Sequence, residues 1–379
     1  MEYKRLGDYI EPVDERNSKL EIKLSQGICN EKYFQDPRQV AENSAADKIV
    51  RRGYFAYNRA TTRNGEKISI AYREGPDCTV SSAYQVFRIK DEEKLNPKYL
   101  LMWYKRSDFD RYARFRSHGS AHEFFEYEEM CDVYLPLPDI DRQREIVEEY
   151  ETLSRRIHLN EQMIEKLEAT AQALYRKMFV DGIDKENLPD GWRMGSIGEF
   201  CKEMKSGGTP SRTNDDFWNS KDYPWLKTGE VQNNVVIDVE EFISEEGYKN
   251  SSAKLIPRGS VVMAMYGGGT VSNVAYLDCD TTTNQACCNM ICKSSEDSAF
   301  LFFHLLCYQE EIKRLANGGA QENLSQDVIS MQPILIIDDD EQKKSFLSIL
   351  KHIVVCYREN KTLKELQSLL LAKMGNLKQ

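Results

Sequence analysis

Near the start of the chain, Tyr57-Asn58-Arg59-Ala60-Thr61-Thr62-Arg63-Asn64-Gly65 sets guanidinium groups and amides close together. Arginine carries a planar fork of donors matched to phosphate oxygens or the edge of guanine, and an asparagine amide can both donate to and accept from adenine. Asn58, Arg59, Thr62, Arg63 and Asn64 are therefore candidates for gripping a nucleic acid. The same Asn64-Gly65 pair is a hairpin-turn signal, and a solvated hairpin tip can be basic without function. Arg114, Arg116 and His118 form a second basic group at the end of a predicted helix, where cations also complement the helix dipole. Further on, Lys205, Ser206, Gly207, Gly208 and Thr209 combine a cation, small hydroxyls and glycines, a run expected to offer exposed backbone N–H groups to phosphate. Tyr266 and Gly268 lie in a second glycine loop, after the strand-like stretch from Ser260 to Met265. Asn284 and Gln285 supply amides suited to adenine, and Lys227 adds a cation. Amides equally satisfy buried backbone groups, the role expected for at least one of these two. Phe217, Trp218, Tyr223 and Trp225 are expected in the core or at an interface rather than under bases.

Catalytic chemistry is harder to find. The ten cysteines include Cys279, Cys287, Cys288 and Cys292, which form no CxxC pair, and only five histidines are present, so no metal site is expected. Reduced, mostly buried thiols are the simpler reading. No phosphate-binding GxxxxGK[ST] loop and no convergent carboxylate cluster occur. Asn96-Pro97-Lys98-Tyr99 partly matches an adenine-methylase Asn-Pro-Pro-Tyr motif, but the second proline is missing and Asn-Pro at a helix start is a capping arrangement. The chain reads as non-catalytic.

With 379 residues there is room for two or more domains, and 41% hydrophobic with 30% charged residues describes an ordinary soluble protein. No apolar run is long enough for a bilayer and the N-terminus lacks a secretory pattern, so a cytoplasmic protein without a membrane role is expected. A net charge of −10 argues against nucleic acid only if charge is evenly spread. It is not: Lys48, Arg51, Arg52, Arg59, Arg63, Lys67 and Arg73 face only Glu66 in their stretch, whereas the long charged segments are rich in glutamate.

The elements that would position these residues occur twice, about 200 residues apart. Arg5-Leu6-Gly7-Asp8-Tyr9 is echoed by Ser196-Ile197-Gly198-Glu199-Phe200, and Lys48 to Gly53 by Lys254 to Gly259, each before an apolar strand. Predicted helices Pro97 to Arg116 and Ser298 to Ala316 lead into the loops His118-Gly119-Ser120-Ala121 and Gly318-Gly319-Ala320-Gln321. Each half closes with a strand, Val133 to Leu137 or Pro333 to Ile337.

Two segments, Asp141 to Val180 and Asp340 to Met374, then contain neither Gly nor Pro. Apolar residues recur at alternating steps of four and three, with Asn160 and Asn360 as polar members of the seams. An antiparallel pairing that matches these asparagines also overlaps both seams, so the two amides are expected to bond and to fix register. At 1.5 Å per residue such a pair spans roughly 50 to 60 Å. The expected organisation is α+β or α/β: residues 1–138 and 181–338 as two domains of a pseudo-two-fold repeat, and 139–180 and 339–379 as a long antiparallel two-helix coiled coil.

The ordered series Trp192, Ile197-Gly198-Glu199, Gly207-Gly208-Thr209-Pro210-Ser211, Pro224-Trp225-Leu226-Lys227-Thr228-Gly229-Glu230, Ile243 to Ala253 and Thr283-Asn284-Gln285-Ala286 resembles the specificity subunits of type I restriction-modification systems. The resemblance spans essentially the whole chain, with a more divergent first half. It implies two α/β target-recognition domains that read a bipartite double-stranded DNA target, and spacer helices that dock two adenine-methylating modification subunits. ATP-driven restriction subunits can join such assemblies. S-adenosylmethionine and ATP would be held by those partners and no cofactor by this chain. The competing reading is a coiled-coil scaffold carrying two ligand-binding domains unrelated to DNA.

Overall fold

The structure, a computed structural model, describes residues 3–37, 44–61, 67–118, 123–184, 186–267, 269–316, 323–338 and 341–375. It divides into two compact units, Met1–Arg156 with Leu363–Gln379, and Ile157–Thr362.

The first unit is built on a four-stranded antiparallel sheet ordered Ile10–Val13, Tyr84–Ile89, Phe55–Asn58, Ile70–Tyr72. Alternation of side chains divides its faces. Phe55, Tyr57 and Phe87 point to one side and pack with Tyr99, Tyr104, Phe109 and Phe125, whereas Ala56, Ala71 and Val86 face a smaller core with Val50, Cys78 and Val80. The aromatic side is covered by helices Pro97–Tyr104 and Ser107–Arg116. Asn96 caps the first of these, its Oδ1 accepting from the backbone N–H groups of Lys98 at 2.9 Å and Tyr99 at 3.2 Å. The single helix expected from Pro97 to Arg116 is in fact two, because Arg106 is extended with ψ 138°. This break brings Tyr104 and Phe109 together, with ring centroids 4.6 Å apart, over the sheet. Tyr3–Arg5 pairs antiparallel with Tyr134–Pro136 to close the unit.

The second unit repeats this strand order and adds to it. Its five-stranded sheet runs Glu203–Ser206, Cys287–Ile291, Val261–Ala264, Val274–Leu277, Asn234–Val236; the first four strands are antiparallel and the fifth is parallel to its neighbour. A separate three-stranded sheet joins Glu241–Ile243, Tyr223–Leu226 and Thr282–Thr283. Here too the expected helix is interrupted, giving Ser295–Cys307 and Gln309–Lys313. Trp192–Ser196 and Pro333–Ile337 form the closing antiparallel pair.

Correspondence extends to individual turns. Gly53 and Gly259 both adopt positive φ, 91° and 89°, a region that disfavours other residues. The Gly53 N–H donates to Arg73 O and the Gly259 N–H to Leu277 O, each at 2.8 Å. Just before them, the Arg52 N–H meets Asp77 Oδ1 at 2.9 Å and the Arg258 N–H meets Asp280 Oδ1 at 2.7 Å.

Two long helices, Ile140–Phe179 and Glu341–Gly375, contribute to both units. Within the first unit, Ile146 and Met374 share the aromatic core, and Gln367 Nε2 donates to Ser154 Oγ at 2.7 Å. Within the second, Tyr175 and Phe179 pack on Phe346, and Asn160 Nδ2 donates to Asn360 Oδ1 at 2.9 Å and to Glu359 Oε2 at 3.0 Å. These partners show the segments running in opposite senses inside each unit. Burial follows the four-three spacing: Ile146, Ile157, Asn160, Ile164 and Ala171 are buried on the first helix, and Phe346, Ile353, Asn360 and Met374 on the second. Each helix start is pinned to its unit. Gln143 is fully buried, accepting from the Asn96 N–H at 2.8 Å, and Lys343 Nζ meets Asp297 Oδ1 at 2.6 Å.

Among the described residues, no helix is long and apolar enough to cross a membrane. Nor do three His, Cys, Asp or Glu side chains converge there as metal ligands.

Candidate nucleic-acid interface

The strand directions bring the candidate loops together. In the second unit, Ser206 lies opposite Cys288 and Ala264 opposite Cys287, so the ends of strands Glu203–Ser206 and Val261–Ala264 meet the beginning of Cys287–Ile291. The loops from 207, 265 and 284 therefore emerge at one end of one sheet. They are also bonded to each other: the Met265 N–H donates to Ala286 O at 2.7 Å, and Thr209 Oγ1 donates to Gln285 Oε1. The chain after the 317–322 segment joins them, with the Leu324 N–H on Met265 O at 2.9 Å and a bridge between Tyr266 and Asn323.

The first unit repeats this cluster with other residues. Asn58 lies opposite Tyr84, the Phe125 N–H donates to Arg59 O at 2.9 Å, and Ala60 bridges Phe124. Arg59 is held by three neighbours: Nε donates to Ala83 O at 3.2 Å, Nη1 pairs with Glu126 at 3.2 Å, and the guanidinium lies over the Phe124 ring. Asn58 Oδ1 accepts from the Ala60 N–H at 3.1 Å. Arg114 pairs with Glu123 at 2.5 Å, Arg116 with Glu129, and the exposed His118 has Nε2 3.7 Å from Glu129. The hydrogen bond to Glu129 raises the Arg116 pKa further. Thr62, Arg63, Asn64 and Gly268 lie outside the described residues, as do Gly119 to Ala121 and Gly318 to Gln321.

One expectation is overturned. Gly207 and Gly208 do not offer exposed N–H groups: both are buried, and their amides donate to Cys287 O at 3.4 Å and Thr283 O at 2.8 Å. Glycine is needed for close packing instead. A Cβ on Gly207 would stand 2.1 Å from Asn284 O, and one on Gly208 2.3 Å from Ser252 Oγ. Around them, Lys205 pairs with Glu203 at 2.9 Å and Ser206 Oγ donates to Gln326 Oε1 at 2.9 Å. Asn284 takes the structural role, its Oδ1 accepting from the Ala286 N–H at 3.1 Å, whereas Gln285 is exposed. Tyr266 is 39% exposed at the loop edge.

Lys227 sits between Glu240 at 2.9 Å and Glu241 at 3.1 Å, and these bonds raise its pKa. Burial disfavours the Glu241 carboxylate, but hydrogen bonds from Arg212 and Lys227 outweigh it and lower the Glu241 pKa. The candidate cations are thus mostly in surface ion pairs. Such pairs contribute about 0–1 kcal/mol each, so a phosphate can displace the carboxylate at small cost while finding the side chain already oriented. Of the aromatic residues, Trp225 is buried and Tyr223 stacks on Tyr248 at 4.4 Å, consistent with structural roles. Arg212, beside the glycine turn, was not singled out by sequence reasoning; its only signal was its position three residues after Thr209 and six before Trp218.

The chain as a whole is similar to known proteins. The model of the type I restriction modification DNA specificity domain matches residues 45–169 and 189–367. The specificity subunit of the HindI type I restriction enzyme from Haemophilus influenzae is 22% identical, over 87% of this chain and 87% of its own. The MjaIX specificity subunit from Methanocaldococcus jannaschii is 25% identical over 42% of this chain and 38% of its own. In fold, the chain resembles the crystal structure of the type I restriction-modification S subunit from M. genitalium, with a TM-score of 0.59 at 13% identity, covering 99% of this chain and 96% of the other. With two long stretches matching that family's model, the chain belongs to the type I restriction-modification DNA specificity family and is a specificity subunit of that kind.

Proposed function

We propose that each unit reads one half of a bipartite DNA duplex target, the loops at its sheet end making the contacts. The observation that carries this reading is the same meeting of loops at a sheet end occurring twice with different side chains: Arg59 in one unit stands where Met265 stands in the other, each carbonyl accepting the equivalent N–H, from Phe125 and Leu324. A repeated frame with unlike loops suits a target whose halves differ in sequence. Exposed and half-buried side chains would grip phosphates and base edges, with Arg59, Arg114, Arg116, His118, Lys205, Lys227, Tyr266 and Gln285 as the described contributors.

The long helices act as an antiparallel coiled-coil spacer derived from the duplicated plan. Asn160 and Asn360 set its register, since any slip would leave both amides facing hydrocarbon. The same helices would dock two adenine-methylating subunits, and an exposed groove supports this. In the first unit Leu153, Leu366, Leu369 and Leu370 line a cavity of about 1060 Å³ edged by Arg144, Glu148 and Lys373. Apolar floors with charged rims suit protein association. The chain itself supplies address and no catalysis, while S-adenosylmethionine, and ATP where restriction subunits join, are held by its partners in the cytoplasm.

The test is a genome-wide map of N6-methyladenine in cells expressing this chain with its methyltransferase subunits. A split motif with unlike halves and unread bases between them is expected. A continuous motif, or no mark attributable to the chain, would overturn the reading.

A further inference from the structure

We propose that Arg212 is a DNA-contacting residue of the second unit, presenting its guanidinium fork to a pair of acceptor atoms on the duplex: a guanine edge or a phosphate. This rests on the reading of a bipartite DNA target and adds a residue outside the loops considered above.

Three observations lead to it. Arg212 follows the glycine turn from the sheet end where the other candidate loops gather, the turn being tied to Gln285 through Thr209. Its guanidinium carbon lies 3.6 Å from the ring centroid of Trp218 and 4.7 Å from that of Trp225, two indoles set at 88° to each other. Both indoles are themselves fixed, with Trp218 Nε1 donating to Ser211 O at 3.0 Å and Trp225 Nε1 to Gly208 O at 2.9 Å. The platform is rigid.

A structural role alone does not account for the arrangement. Glu241 holds Nη1 at 2.7 Å, but no hydrogen bond from Nε or Nη2 is found among the described residues, and the side chain remains 49% exposed. An arginine fixed by stacking and one ion pair, with donors turned to solvent, has already lost the rotamer freedom that binding usually removes. Beside it a shallow cavity of about 330 Å³ is bordered by Lys221 and Phe242, with the Lys221 ammonium 5.4 Å from the Phe242 ring centroid. Glu240 and Glu241 also border it and are paired with Lys227, so the cavity offers both a cationic fork and carboxylates able to accept from cytosine N4. Arginine matches a planar pair of acceptors in two parallel hydrogen bonds, which lysine cannot reproduce.

The experiment compares the wild-type chain with R212M and R212K, each assembled with its methyltransferase subunits. Duplex binding is measured across a salt series and the methylated motif is mapped. R212M should weaken cognate binding roughly 10- to 100-fold. A guanine contact would make one base pair of the second half-site degenerate, and R212K would not restore it. A phosphate contact would weaken all sequences alike, lower the salt slope by about one and be largely restored by R212K. A folded R212M with unchanged affinity, motif and salt slope would overturn the proposal. Should R212M fail to fold, R212Q takes its place, since it too removes the charge and the fork: the proposal then requires a loss of at least about fivefold, and unchanged binding, motif and salt slope overturn it. A wild-type complex with no split motif would instead remove the reading of a bipartite target, and this proposal with it.

Discussion

Substitution of the Asn160 and Asn360 pair tests the helix seam quantitatively. Asn160 is 4% exposed and Asn360 7%, and the bonding is asymmetric: Asn160 Nδ2 serves both Asn360 Oδ1 and Glu359 Oε2. N160L removes the donor from two acceptors and leaves the Asn360 amide facing a leucine. An abandoned buried polar group costs about 1–3 kcal/mol, so N160L should destabilise by that amount. N360L leaves Asn160 bonded to Glu359 and should cost roughly half as much. The double variant exchanges a buried amide pair for apolar contact and should be at least as stable as wild type, by up to about 2 kcal/mol, while losing its penalty against slipped register. Calorimetry of the full chain reads these as shifts of the unit containing Ile157–Thr362, about 2–4 °C per kcal/mol at this size. N160L should thus lower that transition by about 2–12 °C. Additive losses in the double variant, or a larger effect from N360L than from N160L, would refute the reasoning.

Other consequences follow from the same geometry. G207A puts a methyl group against the backbone of Thr283 and Asn284 and should destabilise the second unit by about 2 kcal/mol or more, read as a lowered melting temperature or lost soluble expression. His304 is buried with its Nδ1 2.7 Å from the Tyr175 hydroxyl, and burial lowers its pKa to about 3. Because the folded value lies below the unfolded one near 6.5, stability should be full above about pH 6.5 and fall as pH drops toward 3; H304Q should flatten that dependence in pH-resolved melting, and an unchanged slope would contradict it. Glu168 shows the opposite sign. Burial first, and then Glu165, raise its pKa to about 7, so its contribution declines as pH rises from about 4.5 through 7, and E168Q should raise the melting temperature at pH 8 but not at pH 4. L366E with L369E, at positions 43% and 59% exposed, should leave melting within a few degrees yet weaken assembly with the methyltransferase subunits in size-exclusion chromatography, and intact assembly would count against the groove.

Much of this frame was legible because it depends on periodicity. Steps of four and three place Ile146, Ile157, Ile164 and Ala171 on one helix face whatever lies against it, so the seam and its asparagines could be read before any contact was known. The repeated Arg-Gly turns were visible because a positive φ at Gly53 and Gly259 demands one residue type. Tertiary geometry was not legible. The helix break at Arg106, which sets Tyr104 and Phe109 together over one sheet, is announced by no capping side chain. Gly207 and Gly208 looked like an open phosphate loop because glycine favours close approach, but the approaching atoms belong to the protein's own backbone. Ion pairing was equally hidden: Arg114 with Glu123 and Lys227 with Glu240 and Glu241 are made by the folded chain. Arg212 became visible as a candidate only once Trp218 and Trp225 were seen around it.

Replacing residues 1–138 with the corresponding domain of another specificity subunit, and mapping methyladenine before and after, tests most directly whether each unit reads its own half-site. One half of the motif should change to the donor's sequence while the other half stays the same. If both halves changed together, or neither did, the division of reading between the two units would be wrong.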